Sequence, residues 1–149
     1  MPAVARPQVV HQAGERHIEA LRAAYASAGV AAECIAFIDD MAARYAWADI
    51  VLCRGGALTV AEIAAVGLAA IVVPLPGAIA DEQSANARFL VEAGGAFAFA
   101  QAELTPERLS ALLAGFTRAQ ALAMSAAAYR IGKRDAADRV ADACLALTR

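Results

Sequence analysis

The chain has 149 residues, 60% of them hydrophobic, with 13 basic residues against 15 acidic and a formal net charge of -2. That length predicts one core, and the slightly acidic balance excludes a basic footprint for nucleic acid or for an anionic membrane. The three cysteines, Cys34, Cys53 and Cys144, are odd in number and lack paired spacing, so they read as small apolar side chains in a reducing, cytoplasmic setting.

The opening MPAVARPQVV has neither the apolar centre nor the cleavage site of a secretory signal. Residues 8–11 predict a short strand, and an Ala-rich helix follows over about 15–28, stopped by Gly29. A strand is expected over 33–38. Asp39 or Asp40 then caps a helix to about residue 48, and 49–53 is a further short strand. The stretch CRGGALTVAEIAAVG, beginning at Cys53, supplies a helix directly after a glycine turn. A strand over 70–74, a helix over 81–93 and a strand over 96–100 come next. Thr105 and Pro106 open another helix with a capping hydroxyl and proline at the first helical position, and 105–149 reads as helical throughout. The uncharged run between Glu62 and Asp81 has the length of a membrane span, but Gly67, Pro74, Pro76 and Gly77 divide it into a helix end, a buried strand and a loop. Strands alternating with helices predict an α/β, doubly wound parallel sheet covered on both faces, with ligands beyond the C-terminal strand ends.

The glycine turn lies at such an end. Glycines without a Cβ let backbone N–H groups approach an anion, and a helix start carries a partial positive charge. Neither a dinucleotide fingerprint nor a P-loop is present. Thr59 and Glu62 have the T-x-x-E spacing of a capping box, the reading the spacing alone favours; the alternative is that Glu62 meets a nucleotide ribose, whose two hydroxyls a carboxylate accepts. Phe37 to Met41 fits either an apolar slot for a base or a strand end with a helix cap. Asp81 to Asn86 fits either a set of sugar-binding side chains or a solvated acidic first turn. His11 and His17 are too isolated for a metal site, and Asp39 and Asp40 lack the further oxygen ligands a hard cation needs.

Taken in order, HQAG from His11, FIDDM from Phe37, YAWAD from Tyr45, CRGGALTVAEIAAVGL from Cys53, and DEQ with NA from Asp81 resemble the C-terminal half of the MurG glycosyltransferases. The resemblance implies the C-terminal domain of a two-domain GT-B fold with a Rossmann-like sheet. It also implies inverting transfer of N-acetylglucosamine from UDP-N-acetylglucosamine to lipid I, forming lipid II in peptidoglycan synthesis on the cytoplasmic face of the inner membrane. Within that family's pattern Ile38 and Met41 flank the uracil and Arg54 stands near the donor. Gly56, Ala57, Leu58 and Thr59 face the diphosphate, Glu62 takes the ribose hydroxyls and Gln83 takes sugar hydroxyls. No cofactor or metal is implied, and no catalytic residue falls in this chain. Glu82 departs from the family's usual histidine or glutamine, Gly55 from its serine or alanine, and Ala69 from a proline.

No part of the sequence matches the family's acceptor domain or the first strand and glycine loop of its donor domain. Loss of that central strand predicts that the sheet either closes across the gap or is covered at its edge by a second chain. The chain alone is therefore expected to bind donor without turnover. A donor-binding subunit of a two-chain transferase and a non-catalytic interaction module are the alternatives.

Overall fold

The computed structural model describes residues 4, 6–77 and 81–147. Residues 78–80, which end the long uncharged run, lie outside the described residues, as do parts of the N-terminal segment and the last two positions of the helical tail. By packing the chain divides into two compact units, Met1–Arg44 and Tyr45–Arg149.

In the first unit β1 (Val10–Gln12) pairs in parallel with β2 (Glu33–Ile35), with His11 opposite Cys34. Pairing continues past β1 through Ala13 N to Ile35 O and Gly14 N to Ala36 O, at 3.1 and 3.0 Å. The crossover is α1 (Ile18–Ser27). Arg44 grips the Glu33 carboxylate through both terminal nitrogens. The helix α2 (Met41–Trp47) carries the boundary between units, and Asp40 begins it by accepting from Ala43 N at 2.9 Å. Of the two candidate caps, Asp40 is the one used.

The second unit holds β3 (Ile50–Cys53), α3 (Ala57–Val66), β4 (Ala69–Val72), α4 (Glu82–Ala93) and β5 (Ala96–Ala98). The strands form a parallel sheet in the order β3-β4-β5, and α5 (Pro106–Gly115), α6 (Arg118–Ile131) and α7 (Ala136–Ala146) follow. Every residue of β4 is buried, as expected of a central parallel strand covered on both faces. Beside it α6 comes so close that a Cβ on Gly95, just before β5, would meet that of Ala128 at 2.9 Å. On α3 the buried positions Val60, Ile63 and Ala64 follow helical spacing and join Leu68, Val72, Leu90 and Ala128 in one core. Ile63, Ile71, Leu90 and Val72 are the largest fully buried side chains, each contributing about 1.5–3 kcal/mol.

The α/β class and the parallel pairing are as expected, but the strands form two sheets rather than one closed across the gap. No strand among the described residues bridges β1 and β3. The outer side of β3 is therefore an edge. Cys53 O accepts from Val73 N on the β4 side, so by alternation the backbone groups of Ile50 and Leu52 face away from β4. The Leu52 side chain is 52% exposed.

Candidate functional site

Because β3, β4 and β5 are parallel, their C-terminal ends deliver the turn at 54–56, the loop after Val72 and the loop after Ala98 to one rim. The helix α3 starts at that rim. Its N-cap, Gly56, is extended (φ -64, ψ 142) and brings no side chain to the helix end. The first backbone bond of the helix runs from Val60 N to Gly56 O at 2.9 Å. The N–H groups of Ala57, Leu58 and Thr59 thus have no intrahelical acceptor, and they stand at the positive end of a ten-residue helix. Ala57 and Leu58 are exposed. An uncapped start of this kind has the donors and the partial positive charge that suit an anion.

Thr59 is the third residue inside the helix, so its hydroxyl is not the N-cap that a T-x-x-E capping box requires. Glu62 is engaged elsewhere: its Oε2 accepts from the Tyr45 hydroxyl at 3.0 Å. Tyr45, in the last turn of α2, is half-buried and packs against the core. Burial, and then the hydrogen bond to the Glu62 carboxylate, push its ionisation well above the ordinary phenol range. Burial likewise raises the Cys53 thiol to about 11, which marks it as an inert packing residue rather than a nucleophile.

The first two turns of α4 are locked onto the glycine turn. Gln83 Oε1 accepts from Gly55 N at 3.2 Å and from Leu75 N at 2.9 Å, and Asn86 Nδ2 donates to Gly55 O at 3.0 Å. Two N–H donors on one atom identify that atom as the amide oxygen, and they fill its lone pairs. Among the described residues the Gln83 nitrogen has no hydrogen-bond partner, which leaves it as the group able to meet a ligand. Gln83 can donate to a sugar oxygen but has no remaining capacity to accept through its carbonyl. Gly55 makes the contact possible: a Cβ there would run into the Gln83 backbone carbonyl oxygen and stand 3.0 Å from its carbon.

Arg54 spans the rim. Its guanidinium donates to Val73 O at 3.2 Å, Pro74 O at 3.4 Å and Gln101 Oε1 at 2.9 Å. None of these acceptors is charged, so the cation is held in place without being neutralised. Tyr45, Asn86 in its particular role, and Gln101 carry no spacing signal that singles them out, because each meets the site only through the tertiary fold.

Of the expected site residues, Arg54, Gly56, Ala57, Leu58, Thr59, Glu62 and Gln83 all belong to the second unit and gather around the β3 exit and the start of α4. Ile38 and Met41 belong to the first unit, where both are half-buried and flank the Asp40 cap. His11 meets Tyr25 edge-on, with Nδ1 3.1 Å from the hydroxyl. Among the described residues no group of three or more His, Cys, Asp or Glu could hold a metal.

Residues 3–140 match the family described as glycosyltransferase family 28 C-terminal domain. The chain is 55% identical over 139 residues to the UDP-N-acetylglucosamine--N-acetylmuramyl-(pentapeptide) pyrophosphoryl-undecaprenol N-acetylglucosamine transferase of Dechloromonas aromatica (strain RCB), covering 93% of this chain and 39% of that protein. The transferase of the same name from Azoarcus sp. (strain BH72) is 56% identical over 144 residues, 97% of this chain and 40% of the other. The crystal structure of MurG from Acinetobacter baumannii matches with a TM-score of 0.84 at 39% identity, over 95% of this chain and 45% of that one. The chain thus spans about two fifths of the length of the curated relatives it matches.

Proposed function

The chain belongs to the glycosyltransferase family 28 C-terminal domain family, and from that premise we propose that it is the donor-binding part of a MurG-type transferase. The observation that carries this reading is the uncapped start of α3 at the C-terminal end of β3, with three backbone N–H groups that have no intrahelical acceptor and, two residues before the N-cap, an arginine held by uncharged acceptors. A diphosphate is the anion this rim suits. When the bond from sugar to diphosphate breaks, negative charge grows on the departing phosphate, and fixed N–H donors stabilise that charge without reorganising. Arg54 adds a positive field from a position its three acceptors hold.

In this reading Glu62 accepts from the ribose, and the Gln83 amide nitrogen donates to an oxygen of the sugar. The uracil-flanking role of Ile38 and Met41 rests on the family resemblance and is proposed on that ground alone. Inversion needs a base at the acceptor hydroxyl. We assign that base, and the contacts to lipid I, to the length of the relatives that this chain does not match. Isolated, the chain would hold UDP-N-acetylglucosamine without transferring it. The outer edge of β3 is the position we propose for pairing with a further strand. No helix among the described residues is long and apolar enough to cross a membrane, and a peripheral place on the cytoplasmic face of the membrane is part of the same proposal.

Calorimetric titration of the chain with UDP-N-acetylglucosamine, with UDP and TDP as competitors, tests this directly. Uridine-selective binding, weakened about tenfold or more in Glu62→Ala as a charge-assisted hydrogen bond is lost, is the expected result. A folded chain that binds none of these nucleotides would remove the reading.

A further inference from the structure

We propose that Tyr45 is a positioning residue for the nucleotide, holding the Glu62 carboxylate in the orientation that receives the ribose; the inference rests on the donor-site reading above. Glu62 is exposed on the second turn of α3. An unrestrained glutamate there samples many rotamers, and ordering it on binding costs affinity. Here the ordering is already in place. The Tyr45 hydroxyl donates to Oε2 at 3.0 Å, and its ring is anchored against the core that Val60, Ile63 and Ala64 share. A phenol on two torsion angles and a packed ring is a rigid post. With Oε2 engaged, Oε1 is the oxygen left with its full accepting capacity. The capping role that would otherwise explain this glutamate is excluded by the helix starting at Ala57, so the pair has no structural duty at the helix end.

Tyr45→Phe removes only the hydroxyl and leaves the packed ring. We expect it to weaken UDP binding about three- to tenfold, as the loss of one preordered side chain does, while binding of 2′,3′-dideoxy-UDP, which offers Glu62 no hydroxyl, changes less than about twofold. In the Glu62→Ala background the same substitution is expected to have no further effect on UDP, since the group being positioned is gone. A general structural defect predicts the opposite pattern, with both nucleotides weakened alike and the two substitutions additive. A ligand-free measurement checks the contact itself. In Glu62→Ala the Tyr45 phenol should titrate at lower pH than in the unsubstituted chain, and an unmoved titration overturns the inference. Wild-type UDP affinity in Tyr45→Phe overturns it as well while leaving the donor site intact. Failure of the unsubstituted chain to bind UDP overturns the donor-site reading, and this inference falls with it.

Discussion

Gln83 is predicted to serve two separable roles, and two substitutions divide them. In Gln83→Met the side chain keeps its bulk but loses Oε1, so the Gly55 and Leu75 N–H groups lose their acceptor. Leu75 is exposed and recovers water at little cost. Gly55 is buried, and stranding its N–H costs about 1–3 kcal/mol; with the lost bond to Leu75 the total is about 2–3 kcal/mol. For a chain of this size that corresponds to a fall in melting temperature of roughly 5–10 °C. Amide exchange at Gly55 should accelerate with it. Gln83→Glu supplies two acceptor oxygens and keeps both bonds, so its stability should stay within about 1 kcal/mol of the parent. It replaces the free amide donor with negative charge beside the proposed diphosphate, and UDP-N-acetylglucosamine affinity should fall by about tenfold or more. Calorimetry and thermal melts on the same two preparations read both roles. Unchanged melting and Gly55 exchange in Gln83→Met would refute the clamp. Undiminished donor affinity in Gln83→Glu would refute the ligand contact.

Two further outcomes are expected. Gly67 ends α3 at φ 71, and a Cβ there would lie 2.7 Å from Tyr129 Cβ, so Gly67→Ala should cost about 2–4 kcal/mol in urea unfolding, from the left-handed backbone and the overpacking together; a loss under about 1 kcal/mol would show that α6 yields at this point. The Cys53 thiol is raised from 9.0 to about 11 in the folded chain, so the folded state holds the proton more tightly. Its contribution is fully present below pH 9 and is lost as pH rises through 11. Cys53→Ala should remove that part of the alkaline slope measured by urea unfolding, and an identical slope in both chains would show that the thiol does not contribute.

Much of the fold was legible because local signals agreed with one another. Thr105 and Pro106 announce α5, and the structure has the Thr105 hydroxyl accepting from Arg108 N. The all-apolar run of β4 between a helix and a proline loop reads as a covered parallel strand. The candidate site was legible as a location, since a glycine turn after a strand stands at the edge where such a sheet receives ligands. What it hid was which groups are already engaged. T-x-x-E at Thr59 resembles a capping box, but Gly56 starts the helix earlier and shifts the pattern into its interior; the capping box that does form joins Thr117 and Gln120 at the start of α6. Glu62 finds its partner 17 residues away, and Gln83 28 residues away. No periodicity encodes those distances, because they are set by how α2 and α4 come to rest beside the β3 exit.

The reach of Arg54 has a consequence for how variation at a distance would be felt. Gln101 touches nothing in the proposed ligand contacts, yet it holds one end of a guanidinium whose other end grips the carbonyls leaving β4 and whose own backbone opens the glycine turn. The rim therefore behaves as a tripod rather than as three independent loops. A substitution at position 101, remote in sequence and silent in any motif, is expected to release one leg and let the arginine of the proposed donor site swing on the other two.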